Sequence, residues 1–286
     1  MGEFKKRLDL ILTEREFFES REKAKRSIMA GVVFVNGVRE DKPGTRYDID
    51  VTIEIKKNLN PYVGRGGLKL EKAIREFNIN LSGINAIDVG ASTGGFTDCM
   101  LQNGARYVTA IDVGYGQIAW KLRNDDRVKV MDRTNIRYVK SGDIEYAADF
   151  ASIDVSFISL KLVIPVVIDL LNEDGEIVCL VKPQFEAGRK QVGKKGVVRD
   201  KETHIQVLND ITGFSKDCGL KLRGMACSPI KGAEGNIEYL VYLSKKDGLS
   251  HEDVDIKELV EKTHSYMQRL RNCSETNENR ERNNAF

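Results

Sequence analysis

The segment Ile87-Asp88-Val89-Gly90-Ala91-Ser92-Thr93-Gly94-Gly95-Phe96 constrains this chain more than any other stretch. A short apolar run carrying a carboxylate suits the C-terminal tip of a buried parallel strand. Three glycines then turn the chain, and residues 97–103 continue as a helix that Gly104 can close at C′. Strand, glycine turn and helix, in that order, hold a nucleotide-like ligand at the carboxyl ends of an open α/β sheet. Glycine is needed where a Cβ would keep the backbone away from the ligand. The spacing is Gly-x-x-x-Gly-Gly, which is not the dinucleotide fingerprint and argues against a pyrophosphate on the helix N-terminus. A second run, Tyr107-Val-Thr-Ala-Ile-Asp112, ends in another carboxylate 24 positions after Asp88, suited to gripping ribose hydroxyls. Two acids, glycines and no phosphate grip fit S-adenosylmethionine. Its candidate contacts are Asp88, Gly90, Gly94, Gly95 and Asp112.

From Ile84 onward, strand and helix patterns alternate. The spacing predicts strands over 84–89, 107–113, 128–131, 150–156, 176–182, 221–228 and 237–243. Helices are expected over 97–103, 117–123, 159–171 and 201–218. No helix-length segment separates the last two strands, so they should pair as an antiparallel edge hairpin. The expected fold is α/β: a seven-stranded, doubly wound, Rossmann-like methyltransferase sheet with a small α+β domain before it. The expected divisions are an N-terminal domain over 1–57, a linker over 58–67, and the catalytic domain over 68–248. A C-terminal helix over 249–271 and a polar tail over 272–286, read as disordered, complete the chain.

Residues 1–57 read as an independent unit. Residues 7–13 start a helix, and Ser20 is a suitable N-cap for a second helix that Gly31 ends. A strand over 32–38 enters an Asn36-Gly37 tight turn, and 49–55 alternates as another strand. Net charge is only +2 over 286 residues, so affinity for nucleic acid must come from local patches. Lys6, Arg7, Arg21, Lys23, Lys25 and Arg26 form one such patch, which can hold phosphates, although an ordinary solvated helix face has the same composition. The order of elements, with Arg7-Leu-Asp9, Ser20-Arg21, Ala24, Ile28, Gly31 and Val33-Phe-Val-Asn-Gly37, resembles the small RNA-binding domain named after ribosomal protein S4. That resemblance implies RNA binding by this unit.

Other features narrow the class. The five cysteines are scattered without a Cys-x-x-Cys pair, which speaks against a zinc site and a disulfide framework. No signal peptide opens the chain and no apolar run is long enough to cross a bilayer, so a cytoplasmic protein with no membrane partner is expected. Arg65-Gly66-Gly67 reads as a flexible joint, with Arg65 able to touch RNA. The glycine-rich basic stretch 188–199 reads as a mobile loop near the active site, with Arg189 and Lys190 as RNA contacts.

Four polar residues stand at positions where chemistry is expected. Asp154 ends one apolar strand and Lys182 the next, which brings them together at the cofactor edge. Glu238 starts the last strand. Lys69 lies near the start of the helix leading into the sheet, where the helix dipole disfavours a cation. Two lysines and two carboxylates suit deprotonation of a ribose hydroxyl, with crowding and burial making one amine a base while the carboxylates orient both. Salt bridges at the sheet rim are the plainer alternative.

The motifs around these residues are long and specific. They are Tyr62-Val-Gly-Arg-Gly-Gly-Leu-Lys-Leu-Glu71, Asp88-Val-Gly-Ala-Ser-Thr-Gly-Gly-Phe-Thr-Asp98, Asp112-Val-Gly-Tyr-Gly-Gln117, Asp154-Val-Ser-Phe-Ile-Ser159, Lys182-Pro-Gln-Phe-Glu186 and Gly235-Asn-Ile-Glu-Tyr239. Together they resemble the TlyA, or hemolysin A, family, whose catalytic domain is related to the FtsJ-type ribose methyltransferases. The resemblance implies an S-adenosylmethionine-dependent 2′-O-methyltransferase acting on cytidines of ribosomal RNA. It implies Lys69, Asp154, Lys182 and Glu238 as the catalytic group, Lys182 being the base, and adds Ser92, Phe96 and Asp132 to the cofactor site. The family more often has Glu where Asp132 stands. A membrane-active hemolysin and a non-catalytic ribosome-assembly factor are the alternatives. The first would require an insertable segment, and the polar tetrad speaks against the second.

Overall fold

The structure, a computed structural model, describes residues 5–29, 31–40, 42–55, 60–250 and 252–268. The expected tail over 272–286, the last residues of the expected C-terminal helix and positions 58–59 of the expected linker lie outside the described residues. The chain divides into two compact units at Pro61/Tyr62.

In the first unit, β1 (Lys6–Arg7) leads into α1 (Leu8–Glu14), followed by α2 (Arg21–Met29). The Ser20 hydroxyl accepts from the Lys23 amide at 3.2 Å, the expected cap, and Gly31 follows at φ +70°. β2 (Val33–Val35) turns through Asn36 and Gly37, both at positive φ as a type I′ turn requires, into β3 (Val38–Arg39). β4 (Arg46–Tyr47) pairs antiparallel with β1, and β5 (Ile53–Ile55) with the free side of β2. The strand expected over 49–55 is therefore shortened, because Val51 donates back to the Asp48 carbonyl at 3.2 Å and makes a turn there. Leu8, Leu12, Ala24, Ile28, Val33 and Val35 form the core of this unit.

The second unit starts earlier than the expected joint allows. Tyr62 is buried, the Val63 amide donates to Asp98 Oδ2 at 2.8 Å, and a Cβ on Gly67 would collide with the Tyr62 ring. Residues 62–67 are thus packed structure, not linker, and α3 (Gly66–Glu76) begins two residues before the expected domain start.

The elements that follow are β6 (Asn85–Val89), α4 (Gly95–Gln102), β7 (Tyr107–Ile111), α5 (Trp120–Arg123), β8 (Val128–Met131) and β9 (Ala148–Ile153). Then come α6 (Ile164–Leu170), β10 (Leu171–Val181), α7 (Pro183–Glu186), α8 (Lys201–Asp217), β11 (Lys221–Cys227) and β12 (Tyr239–Ser244). Their seven-stranded sheet has the order β11-β12-β10-β9-β6-β7-β8. Neighbours from β10 to β8 run parallel, whereas β12 is antiparallel to both β10 and β11. The expected hairpin forms, but its second strand inserts into the sheet and its first becomes the edge.

All five residues of β6 are buried, as suits a parallel strand covered on both faces. Each fully buried Ile, Val or Leu side chain here stabilises the fold by roughly 1.5–3 kcal/mol. The helix expected over 159–171 breaks into a 3₁₀ turn at Leu160–Leu162 and α6, with Pro165 in its first turn. The C-terminal helix runs over 256–268 and docks through Val260, Thr263 and Met267, all buried.

Candidate active site

Register places the site. Val89 lies beside Ile111 and Ile153, and Ile153 beside Cys179, so the carboxyl ends of β6, β7, β9 and β10 share one edge. Tyr239, the first residue of the antiparallel β12, pairs with Val181, the last of β10. Glu238 therefore arrives at the edge where Asp154 and Lys182 emerge.

These groups meet. Lys182 Nζ is 2.5 Å from Asp154 Oδ1 and donates to Ser156 Oγ at 3.1 Å. Lys69 Nζ is 2.7 Å from Glu238 Oε2 and 3.6 Å from Asp154 Oδ2. Lys69, Lys182 and Glu238 are buried, while the Asp154 side chain keeps 20% of its surface exposed. A cation in the first turn of α3 is explained by these two carboxylates, which outweigh an unfavourable helix dipole of roughly 0.3–1 kcal/mol. Room for Glu238 is made by Gly232, where a Cβ would fall 1.9 Å from Glu238 Oε1.

Two cavities meet at this group. One, of about 530 Å³, is lined by Arg65, Lys69, Lys182, Phe185, Lys231 and Glu238, among others. The second, of about 780 Å³, is lined by Asp112, Val113, Gln117, Ile136, Ile158 and Leu162, among others. Gly90, Ser92, Asp154, Ser156 and Phe157 line both. Gly90 sits at φ +85°, and a Cβ there would lie 2.6 Å from the Asp154 carbonyl, so only glycine lets the two strand-end loops approach this closely.

Asp112 accepts from the Ser92 amide at 2.8 Å and the Gly114 amide at 2.7 Å while remaining partly exposed to the second cavity. Apolar side chains beside Asp112 fit an adenosine, with that carboxylate at the ribose hydroxyls. The charged side chains that line this cavity are Asp112, Asp154 and Arg137.

Three expected cofactor contacts are placed elsewhere. Asp88 is fully buried and accepts from Thr97 N at 2.8 Å, Thr97 Oγ1 at 2.6 Å and Ser152 Oγ at 3.1 Å. It braces the start of α4 from below instead of facing the cleft. Burial pushes its carboxyl up to about 6 despite those three donors. Gly94, at φ +91°, makes way for Leu122 and Ile118. Asp132, one strand further out, accepts from Arg123 Nη2 at 2.7 Å and lines neither cavity. Gly95 and Phe96 line the first cavity, on the tetrad side.

The basic candidates of the first unit are mostly engaged. Arg7 and Arg21 both donate to Asp9, at 3.0 and 2.9 Å, and Asp9 is fully buried. Burial would raise that carboxyl, but the two guanidiniums hold it below its ordinary value. Lys6 pairs with Glu14, Lys23 with Glu19 and Lys25 with Glu22. Arg7 and Arg21 thus shape the fold as well as offering partly exposed charge.

In the second unit, Arg189 and Lys190 are exposed on a 3₁₀ turn. The stretch expected to be a mobile loop is pinned at its far end. Asn236 Nδ2 donates to the Gly196 carbonyl at 2.9 Å, Val198 donates to Asn236 Oδ1 at 3.2 Å, and His204 Nε2 reaches the Val198 carbonyl at 3.0 Å.

Ser156, Phe157, Phe185, Lys231 and Gly232 belong to the site without having been singled out from the sequence. Phe157 is 90% exposed at φ +64°, a conformation unusual for a bulky residue, and its ring lies 4.9 Å from that of Phe185. An aromatic three residues after a strand-end acid, Phe157 after Asp154, was the available signal.

Residues 62–245 match the FtsJ-like methyltransferase family and residues 6–53 the S4 domain. A Bacillus subtilis (strain 168) protein, YqxC, which carries a provisional rRNA methyltransferase name, is 51% identical over 91% of this chain and 94% of its own. The 16S/23S rRNA (cytidine-2′-O)-methyltransferase TlyA of Mycobacterium tuberculosis (strain ATCC 25618 / H37Rv) is 40% identical over 83% of this chain and 89% of its own. A solved structure from Streptococcus thermophilus with a provisional hemolysin name superposes with a TM-score of 0.76 at 47% identity, covering 95% of this chain and all of that one. Among the described residues, no helix is long and apolar enough to cross a membrane. Matched in both units and over most of its length, the chain belongs to the FtsJ-like methyltransferases, in the branch with an N-terminal S4 domain that includes the TlyA proteins.

Proposed function

We propose that this chain is an S-adenosylmethionine-dependent methyltransferase that modifies the 2′-hydroxyl of a cytidine in ribosomal RNA, 16S, 23S or both. The observation that carries this reading is the linked Lys182, Asp154, Lys69 and Glu238 group at the wall shared by the two cavities. When bound, S-adenosylmethionine supplies an electrophilic methyl on a sulfonium whose thioether leaves readily. Asp112 and the apolar wall of the second cavity would hold its adenosine. The first cavity would take the ribose, placing its 2′-oxygen between Lys182 and the shared wall.

Lys182, in its amine form, takes the hydroxyl proton as the oxygen gains the methyl. Asp154 orients that amine and balances the ammonium that results. Glu238 and Lys69 lock Asp154 in place. Positioned proton transfer contributes roughly 10²–10⁴-fold in rate, and in-line placement supplies much of the remainder. Phe157 and Phe185 present rings on which an unstacked base can lie. The S4 unit supplies further RNA contacts through Lys6, Arg7, Arg21, Lys23, Lys25 and Arg26, and Arg65, Arg189 and Lys190 add to them. A ribosomal substrate places the protein in the cytoplasm.

The test is transfer of label from S-adenosylmethionine to unmodified ribosomal RNA, with the product nucleoside identified. Lys182→Ala should lose transfer while retaining cofactor binding. Label on a base instead of a ribose oxygen, or full activity in Lys182→Ala, would overturn the reading.

A further inference from the structure

The ribose cavity carries more positive charge than its chemistry uses. Lys69 and Lys182 are balanced by Asp154 and Glu238. Arg65 and Lys231 line the same cavity, and neither takes part in an ion pair among the described residues. Two cations without an ion-pair partner among the described residues thus stand beside the catalytic group.

Both are held by well-bonded backbone. Arg65 caps the start of α3, where the Gly67 amide donates to the Gly64 carbonyl at 3.1 Å. Lys231 sits in a turn closed at both ends. The Gly232 amide donates to the Asn236 carbonyl at 2.9 Å, and the Ser228 hydroxyl to the Ile230 carbonyl at 2.7 Å. That turn also carries Gly232, whose missing Cβ makes room for Glu238, so Lys231 is tied to the position of the catalytic carboxylate.

We infer that Lys231, together with Arg65, binds the backbone phosphate next to the methylated ribose. The inference rests on the ribose-methyltransferase reading and names the group that selects an internal nucleotide of a chain over a free nucleoside. In RNA the 2′-hydroxyl and the 3′-phosphate sit on neighbouring ribose carbons. A cavity that takes in the hydroxyl therefore brings the phosphate to its rim, where a cation is worth most. Lysine suits this task as a point charge on a flexible stem, and arginine as a fork.

The test is equilibrium binding of the full-length protein to protein-free ribosomal RNA across a salt series, for wild type, Lys231→Ala and Lys231→Arg. Loss of one phosphate contact should make the slope of log affinity against log salt shallower by about 0.7, the value for single strands. Affinity at low salt should fall roughly tenfold, and Lys231→Arg should restore both quantities. Cofactor affinity, measured on the same samples, should be unchanged in Lys231→Ala. In transfer assays the defect should enter KM for RNA and spare kcat. An unchanged slope and affinity in Lys231→Ala would overturn the inference. Wild-type protein that binds the RNA but transfers no methyl would instead defeat the methyltransferase reading, and the salt series would still decide the role of Lys231.

Discussion

Lys69 Nζ lies 2.7 Å from Glu238 Oε2 across 169 positions of sequence, with both side chains buried. A buried ion pair of this kind adds little net stability over an apolar pair of the same shape. Removing one partner is another matter, because the survivor is left as a buried charge.

Glu238→Ala should therefore lower stability by roughly 3 kcal/mol, toward the low end for such truncations because Asp154 Oδ2 still stands 3.6 Å from Lys69. Glu238→Gln keeps the shape and should fold well but transfer methyl at least tenfold more slowly. Urea titration and single-turnover assays on both variants check this. Equal activity of Glu238→Gln and wild type would remove Glu238 from the machinery.

Gly232→Ala should act through Glu238. A Cβ 1.9 Å from Glu238 Oε1 has to push that carboxylate away from Lys69. The expected result is a fall in kcat of tenfold or more, with cofactor affinity unchanged. Steady-state kinetics beside calorimetry would show it, and an unaltered kcat would mean that the 230–235 turn yields freely.

Asp112 and Asp132, alike in sequence position after neighbouring strands, should separate on substitution. Asp112→Ala should weaken S-adenosylmethionine binding by roughly 10–100-fold, the loss expected for hydrogen bonds to a charged acceptor. Asp132→Ala should have a smaller effect, since that carboxylate is engaged by Arg123 and lines neither cavity. Calorimetric titration of each variant decides between them.

Asp88 gives a pH signature. Its carboxyl is raised to about 6 by burial, from an ordinary value of 3.8. The folded state thus holds that proton more tightly than the unfolded chain does. The stabilisation is fully present below the ordinary value and disappears as pH rises through about 6, a change of roughly 3 kcal/mol at 1.36 kcal/mol per unit. The stability difference between wild type and Asp88→Asn should accordingly drift against wild type between about pH 4 and 6 and level off above. A constant difference across that range would show that Asp88 stays ionised.

His264, on the C-terminal helix, behaves in the opposite sense. Burial lowers it to about 4, aided by His204 and Lys201 and opposed by Asp200. Its ring stands 4.8 Å from that of His204. A lowered base contributes stability above its ordinary value of 6.5, and that stability is lost as pH falls toward 4. The helix over 256–268 should loosen across that window, seen as a smaller amide-exchange protection factor at Val260, and His264→Gln should remove most of the pH dependence.

Much of this was legible in the residues. Local rules fix the Ser20 cap, the Asn36-Gly37 turn, the strand-end acids and the glycine turn after β6, because each depends on near neighbours in the chain. Long motifs pointed to Lys69, Asp154, Lys182 and Glu238. Spacing cannot show which carboxylate faces ligand and which faces core, since both end an apolar run. Asp88 and Asp112 look alike in sequence, yet Thr97 and Ser152 claim the first while the second opens on a cavity. The same limit hid the packed 62–67 stretch, whose glycines read as flexibility until Tyr62 and Gly95 filled the space beside them. The sequence by itself determined most of the elements of the sheet, their order and the chemistry available. Only the tertiary structure decided the insertion of β12 between β10 and β11, which brings Glu238 to Lys69. It also decided the split of the cleft into two cavities, because both outcomes depend on contacts between segments far apart in the chain.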